Sequence, residues 1–284
     1  MKHTNRILLA LAVLPLLAGC GSTAVRPPGF PIADAGKPYA SKPDFARVEN
    51  RHPLSEQHRA ALTPQNLATL NQEELDQIYA RLSAGPIPDG PYQGSVIFAD
   101  GGGLRRLKEI LGGVKGFAAD LGVDKLEHVA EALWKGKVFY RDQMELRNQI
   151  TKRRTIARLL DADLSKMRTA DINGRKVGLL FPAKLYCGQS LLDSRRESVI
   201  IDYSFSDDID GYLPEIDYLG GRNGLQIRDE IRMVRPGFYL GRAYIGKIFL
   251  LNFTLSNEDV ATRGGSVQED CRPGSQQVAR AGVP

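Results

Sequence analysis

The sequence predicts an α+β protein in which N-terminal helices pack on a mainly antiparallel β-sheet, or on such a sheet closed into a barrel. Three observations carry this expectation. Before residue 133, apolar residues recur at helical spacing, at Leu67, Leu70, Leu75, Ile78 and Leu82. After Trp134 they fall into short alternating or continuous runs bounded by Gly, Asp and Pro, as strands do. Those runs follow one another too closely for crossover helices, so most pairs must be antiparallel.

Taken in chain order, residues 1–19 read as a signal peptide. Lys2 and Arg6 precede an apolar run from Ile7 to Ala18 that is too short to span a bilayer. The run ends in Leu17-Ala18-Gly19-Cys20, which resembles the lipobox of bacterial lipoproteins. The resemblance implies cleavage before Cys20, lipidation of its thiol, and a stable anchor made of several acyl chains. Gly21, standing where Asp would retain a lipoprotein at the inner membrane, implies an outer-membrane anchor facing the periplasm.

Residues 20–60, with Pro27-Pro28, Pro31, Pro38 and Pro43, read as a lipid-anchored flexible tether. Residues 61–133 read as a helical region in which Thr63 and Asn66 cap short helices. That region breaks at Gly85-Pro86-Ile87-Pro88-Asp89-Gly90-Pro91 and includes a short strand at Ser95–Ala99, an Asp100-Gly101-Gly102-Gly103 turn, and helical segments at Leu104–Leu111 and Asp124–Leu133. Residues 134–256 form the antiparallel β domain, with strands expected at Lys137–Tyr140, Val177–Tyr186, Ser198–Ser204, Gln226–Val234, Gly237–Tyr244 and Ile248–Leu255. The run Ile248–Phe253 is apolar on both faces and predicts cover on both sides. Residues 257–284 are polar and glycine-rich and predict a mobile tail.

Charge and composition exclude several function classes. Cleavage of residues 1–19 removes two basic residues and no acidic ones, so a net charge of +5 falls to +3. A dedicated nucleic-acid binder needs a concentrated basic face, and none is expected as a partner class. Beyond the leader there is no long apolar run. After cleavage only His52, His58 and His128 remain, none of them in the strand-rich half. Gly188-Gln189-Ser190-Leu191-Leu192 lacks the closing glycine of a nucleophile elbow, which disfavours a serine hydrolase. The Gly101-Gly102-Gly103 cluster has Arg106 where a dinucleotide fingerprint needs glycine, so no cofactor is implied.

Four groups remain as candidates. Around Ser206, the carboxylates of Asp208, Asp210 and Asp217 with Gly211 echo a calcium loop, against the alternative of a solvated acidic turn between strands. Arg141, Arg147, Lys152, Arg153, Arg154 and Arg158 offer a basic face for head groups or an acidic partner, against a plain solvated surface. Cys187 and Cys271 are two thiols bound for an oxidising compartment; they either bridge or stay apart, one as a small core residue and one in a loose tail. Asp202, Asp229, Glu230, Arg228 and Arg232 alternate with apolar residues, either as an interior polar network or as cross-strand surface pairs.

Leu133-Trp134-Lys135-Gly136-Lys137-Val138-Phe139 resembles the opening of small antiparallel barrels of the lipocalin type, although Ala132 stands where a glycine two before Trp is expected. The resemblance implies a closed barrel with Trp134 across its floor and a bound hydrophobic small molecule or lipid, with Trp134, Asp202, Tyr203 and Tyr239 as contacts. Two further readings stand beside it: a non-catalytic envelope assembly factor that binds a protein, and a hydrolase-type enzyme using Asp202, Asp229 and Glu230 as acid and base.

Overall fold

The computed structural model describes residues 44–99, 134–151, 153–160, 162–263 and 270–271. The expected leader, Cys20, the Gly101-Gly102-Gly103 turn, the helices flanking it and His128 lie outside the described residues.

Four short helices come first: α1 (Phe45–Arg51), α2 (Glu56–Ala60), α3 (Pro64–Leu67) and α4 (Gln72–Ala80). Each starts where an Asp, Ser, Thr or Asn side chain accepts the backbone N–H three residues on. The caps are Asp44 to Arg47, Ser55 to His58, Thr63 to Asn66 and Asn71 to Glu74. Helices α1 and α2 lie inside the stretch read as tether. Asp44 and Ser55 cap them, and α1 buries Phe45 and Val48. The prolines that suggested an extended chain all precede residue 44.

Nine strands follow: β1 (Gly90–Ile97), β2 (Trp134–Tyr140), β3 (Glu145–Ile150), β4 (Arg168–Ile172), β5 (Arg175–Gln189), β6 (Glu197–Asp202), β7 (Ile227–Arg235), β8 (Phe238–Ile245) and β9 (Ile248–Ser256). They pair in the order β3-β2-β1-β9-β8-β7-β6-β5-β4, every pair antiparallel. One more pairing, β3 on β5 from Ile150–Gly178 to Glu145–Lys184, joins the ends and closes eight strands into a barrel. The long β5 makes this feasible. Its N-terminal half is shared between β3 and the extra strand β4, and its C-terminal half turns to β6 at Lys184–Asp202.

Three strands depart from the expected pattern. β1 covers Gly90–Ile97, so it includes Ser95–Ile97 of the strand expected at Ser95–Ala99 but starts earlier, inside the stretch read as a break, and tolerates Pro91. β3 takes up part of the stretch read as a basic face, and Arg147 within it is buried with its guanidinium on the Asp210 carbonyl. β4, Arg-Thr-Ala-Asp-Ile, has no apolar alternation to announce it and forms as an edge on β5. A helix, α5 (Arg153–Leu160), follows β3, and α6 (Glu258–Arg263) follows β9 inside the expected mobile tail.

Period-two alternation sorts each strand into an inner and an outer face. Inner residues Tyr92, Phe139, Leu146, Leu185, Ile201, Ile231, Tyr239, Phe253 and Leu255 make one apolar core inside the barrel. On the outer face, Leu67, Leu70, Leu75, Ile78, Tyr79 and Leu82 cover Ile97, Val234, Phe238 and Leu240, so α3 and α4 and the residues around them form a second layer. A third cluster sets Ile156, Leu164 and Met167 with Leu213 and Ile216 against Ile150 and Leu180.

The two barrel ends differ. At one, residues 83–87 and 270–271 cross the lumen: Ser83 bridges Met233, the Tyr239 hydroxyl donates to the Pro86 carbonyl at 2.8 Å, and the Asp270 carboxylate accepts the Ile87 N–H. Cys187 and Cys271 are joined there by a disulfide, with Cα atoms 5.3 Å apart, so the tail is tied to β5 rather than loose at this point. At the other end β1 finishes at Ile97, β2 starts at Trp134, β7 starts at Ile227 and β9 starts at Ile248. Ile248 is 57% exposed and Leu250 and Leu251 are half-buried, so the cover expected on both faces of this strand holds only from Asn252 onward. Among the described residues no helix is long and apolar enough to cross a membrane.

Candidate functional site

Among the described residues the interior is apolar except for one polar cluster near the Trp134 end. Lys137 of β2 faces inward, and its Nζ donates to the Asn148 side-chain oxygen at 2.9 Å, the Tyr203 hydroxyl at 2.7 Å and Asp229 Oδ2 at 2.9 Å. The Lys137–Asp229 ion pair is 3% and 6% exposed at its two side chains. Asn148 also accepts the Trp134 indole N–H at 2.9 Å and donates to the Phe181 carbonyl at 3.1 Å and to the Tyr203 hydroxyl at 3.0 Å. Tyr203 in turn donates to Asp229 Oδ2 at 3.3 Å.

Aromatic faces surround the ammonium. The rings of Trp134, Tyr203 and Phe253 have centroids 5.5, 5.4 and 5.5 Å from Nζ, and Trp134 meets Phe253 edge-on at 5.7 Å. Two glycines make room for those rings. A Cβ on Gly94 would come within 2.3 Å of the Trp134 ring, and one on Gly241 within 2.3 Å of the Phe253 ring.

Burial by itself would drive the Lys137 ammonium toward neutrality, but the Asp229 charge and the hydrogen bonds Lys137 donates to Tyr203 and Asp229 outweigh it, and the net direction of its pKa is up. The Tyr203 hydroxyl is pushed up to about 12, by burial first, with Lys137 pulling the other way. The lumen therefore holds a charged ammonium and a neutral phenol throughout the physiological range.

The candidate ligand residues separate into three places. Trp134 and Tyr203 belong to the cluster. Tyr239 is inside the barrel but near the crossed end, edge-on to Tyr92 at 5.8 Å. Asp202 is on the outer face, where it accepts the Tyr186 hydroxyl at 2.9 Å and the Ser204 N–H at 2.8 Å, so it does not contact the lumen. The resemblance put Trp134 on the barrel floor within a first strand. In the structure it opens β2, the second strand, at the end opposite to the one that residues 83–87 and Cys271 cover.

The carboxylate pairing expected of an enzyme does not form. Asp229 faces the lumen while its neighbour Glu230 faces outward, where it accepts the Leu191 N–H at 2.9 Å; Asp202 is outside too. Acid and base on opposite faces of one strand cannot address one bond. The calcium-loop reading fails as well. Asp217 spends its two oxygens on the backbone N–H groups of Phe181 (2.7 Å) and Leu213 (2.8 Å), Asp210 turns to Arg168, and Asp208 is exposed in a 3-10 turn. Among the described residues the metal-like grouping is Cys187, Glu197 and Cys271, and there the two sulfurs are bonded to each other, leaving no thiolate to bind an ion.

Lys137, Asn148 and Phe253 were not among the ligand contacts expected from the sequence, and Asp229 was read there as a carboxylate in a polar network. The signal for Lys137 is a lysine at an inward position of an apolar strand, but inward and outward are defined only after closure. Arg232 was read as a member of that same network. It faces outward, wholly buried under α4.

No protein-family model matches the chain, and no curated protein matches it. Among solved structures, a crystal structure of a protein from Thermomonospora curvata is similar at 15% identity, with a TM-score of 0.36, covering 71% of this chain and 97% of that one.

Proposed function

We propose that this chain is a lipid-anchored envelope protein whose barrel binds a small amphipathic molecule at the Trp134 end. One observation carries the reading: a charged cluster, its donors all hydrogen-bonded, inside an otherwise apolar interior. Burying an ion pair costs several kcal/mol per ion before the partners attract, and apolar side chains of the same volume would fill a barrel at least as well. Polar groups held at one depth in an apolar barrel are the usual means of orienting a ligand. The half-buried apolar residues Trp134, Phe181, Ile227, Leu250 and Leu251 pack around that depth and supply a surface for an apolar body.

The anchor rests on the lipobox, and the envelope location follows from it. Labelled palmitate should enter the wild-type protein and not Cys20→Ser; equal labelling of both removes the anchor.

Trp134 is the only tryptophan in the chain, so its fluorescence reports directly on the lumen. Titration of the purified protein with a dodecyl-chain probe should shift Trp134 emission saturably, and native mass spectrometry should show a mass lost on solvent extraction. Unchanged emission together with a bare mass would remove the ligand reading.

A further inference from the structure

Resting on the lumen as a ligand site, the hydrogen-bond inventory also specifies the head group. We propose that the site takes an amphiphile whose head donates hydrogen bonds, an alkylamine above all, and discriminates against fatty-acid carboxylates. An ammonium has three N–H donors, and Lys137 has committed all three, to Asn148, Tyr203 and Asp229. The Trp134 indole N–H is committed to Asn148, and both Asn148 amide protons are committed, to Phe181 and Tyr203. The Tyr203 hydroxyl proton goes to Asp229 Oδ2. Every donor in the cluster is spent.

The acceptors are not. Asp229 uses Oδ2 twice, while among the described residues its Oδ1 takes no hydrogen bond, on a side chain 6% exposed. Oδ1 is thus an open acceptor on a largely buried carboxylate, and an incoming N–H or O–H can bond to it without displacing a partner. The three aromatic faces surround the Lys137 ammonium, so the walls of the cluster suit cationic and N–H groups better than an anion. A carboxylate entering the cluster meets the opposite: no free donor, an adjacent carboxylate, and the same negative faces. It binds only by breaking a bond that Lys137 already makes.

The test compares three probes with one chain, dodecylamine, dodecanol and dodecanoate, each below its micelle concentration, read by Trp134 emission and by thermal shift of the intact protein. The amine and the alcohol are expected to saturate at concentrations at least tenfold lower than dodecanoate. Dodecanoate binding as tightly as the amine overturns the head-group assignment and leaves the lumen site standing. No response to any of the three overturns the lumen reading itself. Two variants turn the preference around. Tyr203→Phe releases one Lys137 N–H and should tighten dodecanoate about tenfold with little change for the amine. Asp229→Asn, if it folds, removes the carboxylate and should make dodecanoate the tightest of the three. Unaltered ranking in Tyr203→Phe counts against the donor accounting whether or not the Asp229 variant folds.

Discussion

The barrel carries buried charge on both faces of the same strands, and the two sets are built differently. Inside, Lys137 is held by side chains alone: Asn148, Tyr203 and Asp229. Outside, Arg232 donates to the carbonyls of Tyr79, Asp193, Arg196 and Glu197 and to Ser198 Oγ, with its guanidinium 4.8 Å from the Tyr79 ring. Beside it Arg242 pairs with Asp76 of α4, donates from Nε to the Tyr244 hydroxyl at 2.8 Å and stacks on Phe249 at 4.2 Å. The outer arginines fasten α4 and the β5–β6 connection onto the sheet, Arg232 through main-chain carbonyls and Arg242 through Asp76. The inner lysine fastens no such segment. Burial of a charge therefore does not mark a binding site by itself; what the charge is bonded to separates a clamp from a recognition group.

That distinction predicts opposite mutational behaviour. Lys137→Met leaves Asp229 buried without a counter-charge and should cost about 3–5 kcal/mol in denaturant unfolding. The double variant Lys137→Met/Asp229→Leu should recover most of that loss, because no backbone group depends on the pair. If the double variant is as unstable as the single one, the lumen cluster is a clamp like its outer counterpart.

Arg232→Met should cost about 2–4 kcal/mol, since several carbonyls lose their donor together. No single second substitution should restore it, because the acceptors are main-chain atoms. Recovery through any one side-chain change would break the contrast from the other side.

Asp217 tests the same logic by pH. Burial pushes its carboxyl up to about 6, against the pull of the two backbone N–H bonds and of Arg147. The folded value lies above the unfolded one, so the protonated acid is favoured in the fold. This contribution is complete below about pH 4 and is lost as pH rises through about 6, amounting to roughly 1–3 kcal/mol. The stability margin of wild type over Asp217→Asn should shrink between pH 4 and pH 7; a margin constant across that range would refute the assignment. The smallest effect belongs to Tyr239→Phe, which removes one neutral hydrogen bond to Pro86 at the crossed end and should lower stability by about 1 kcal/mol without altering probe binding at Trp134.

Much of the fold is legible in the residues. Thr63 caps α3 as expected, whereas Asn66 lies inside α3 as the return partner of that cap and Asn71 caps α4; the Leu and Ile spacing through Leu82 marks the helical layer. Six of the nine strands fall where alternation puts them, within a few residues. β3 escapes because Glu145–Ile150 alternates Leu146 and Asn148 inward with Arg147 and Gln149 outward, and polar residues on both faces conceal the period. β4 escapes for want of any buried face. Of the candidate site, Trp134 and Tyr203 were among the contacts that the barrel resemblance implied, while nothing in the local sequence singles out Lys137.

The residues alone establish that Asp229 and Glu230 face opposite ways, since neighbours on a strand must. They also establish where α3 begins, because the Thr63 capping oxygen needs only its own turn. Which face becomes the inside was decided by the β3–β5 pairing, and so were the partners of Lys137, 66 residues from Tyr203 and 92 from Asp229, and the Cys187–Cys271 bridge across 84 residues. The physical reason is range. Capping and alternation are set by atoms a few residues apart, whereas barrel closure brings together groups whose separation along the chain leaves no local pattern.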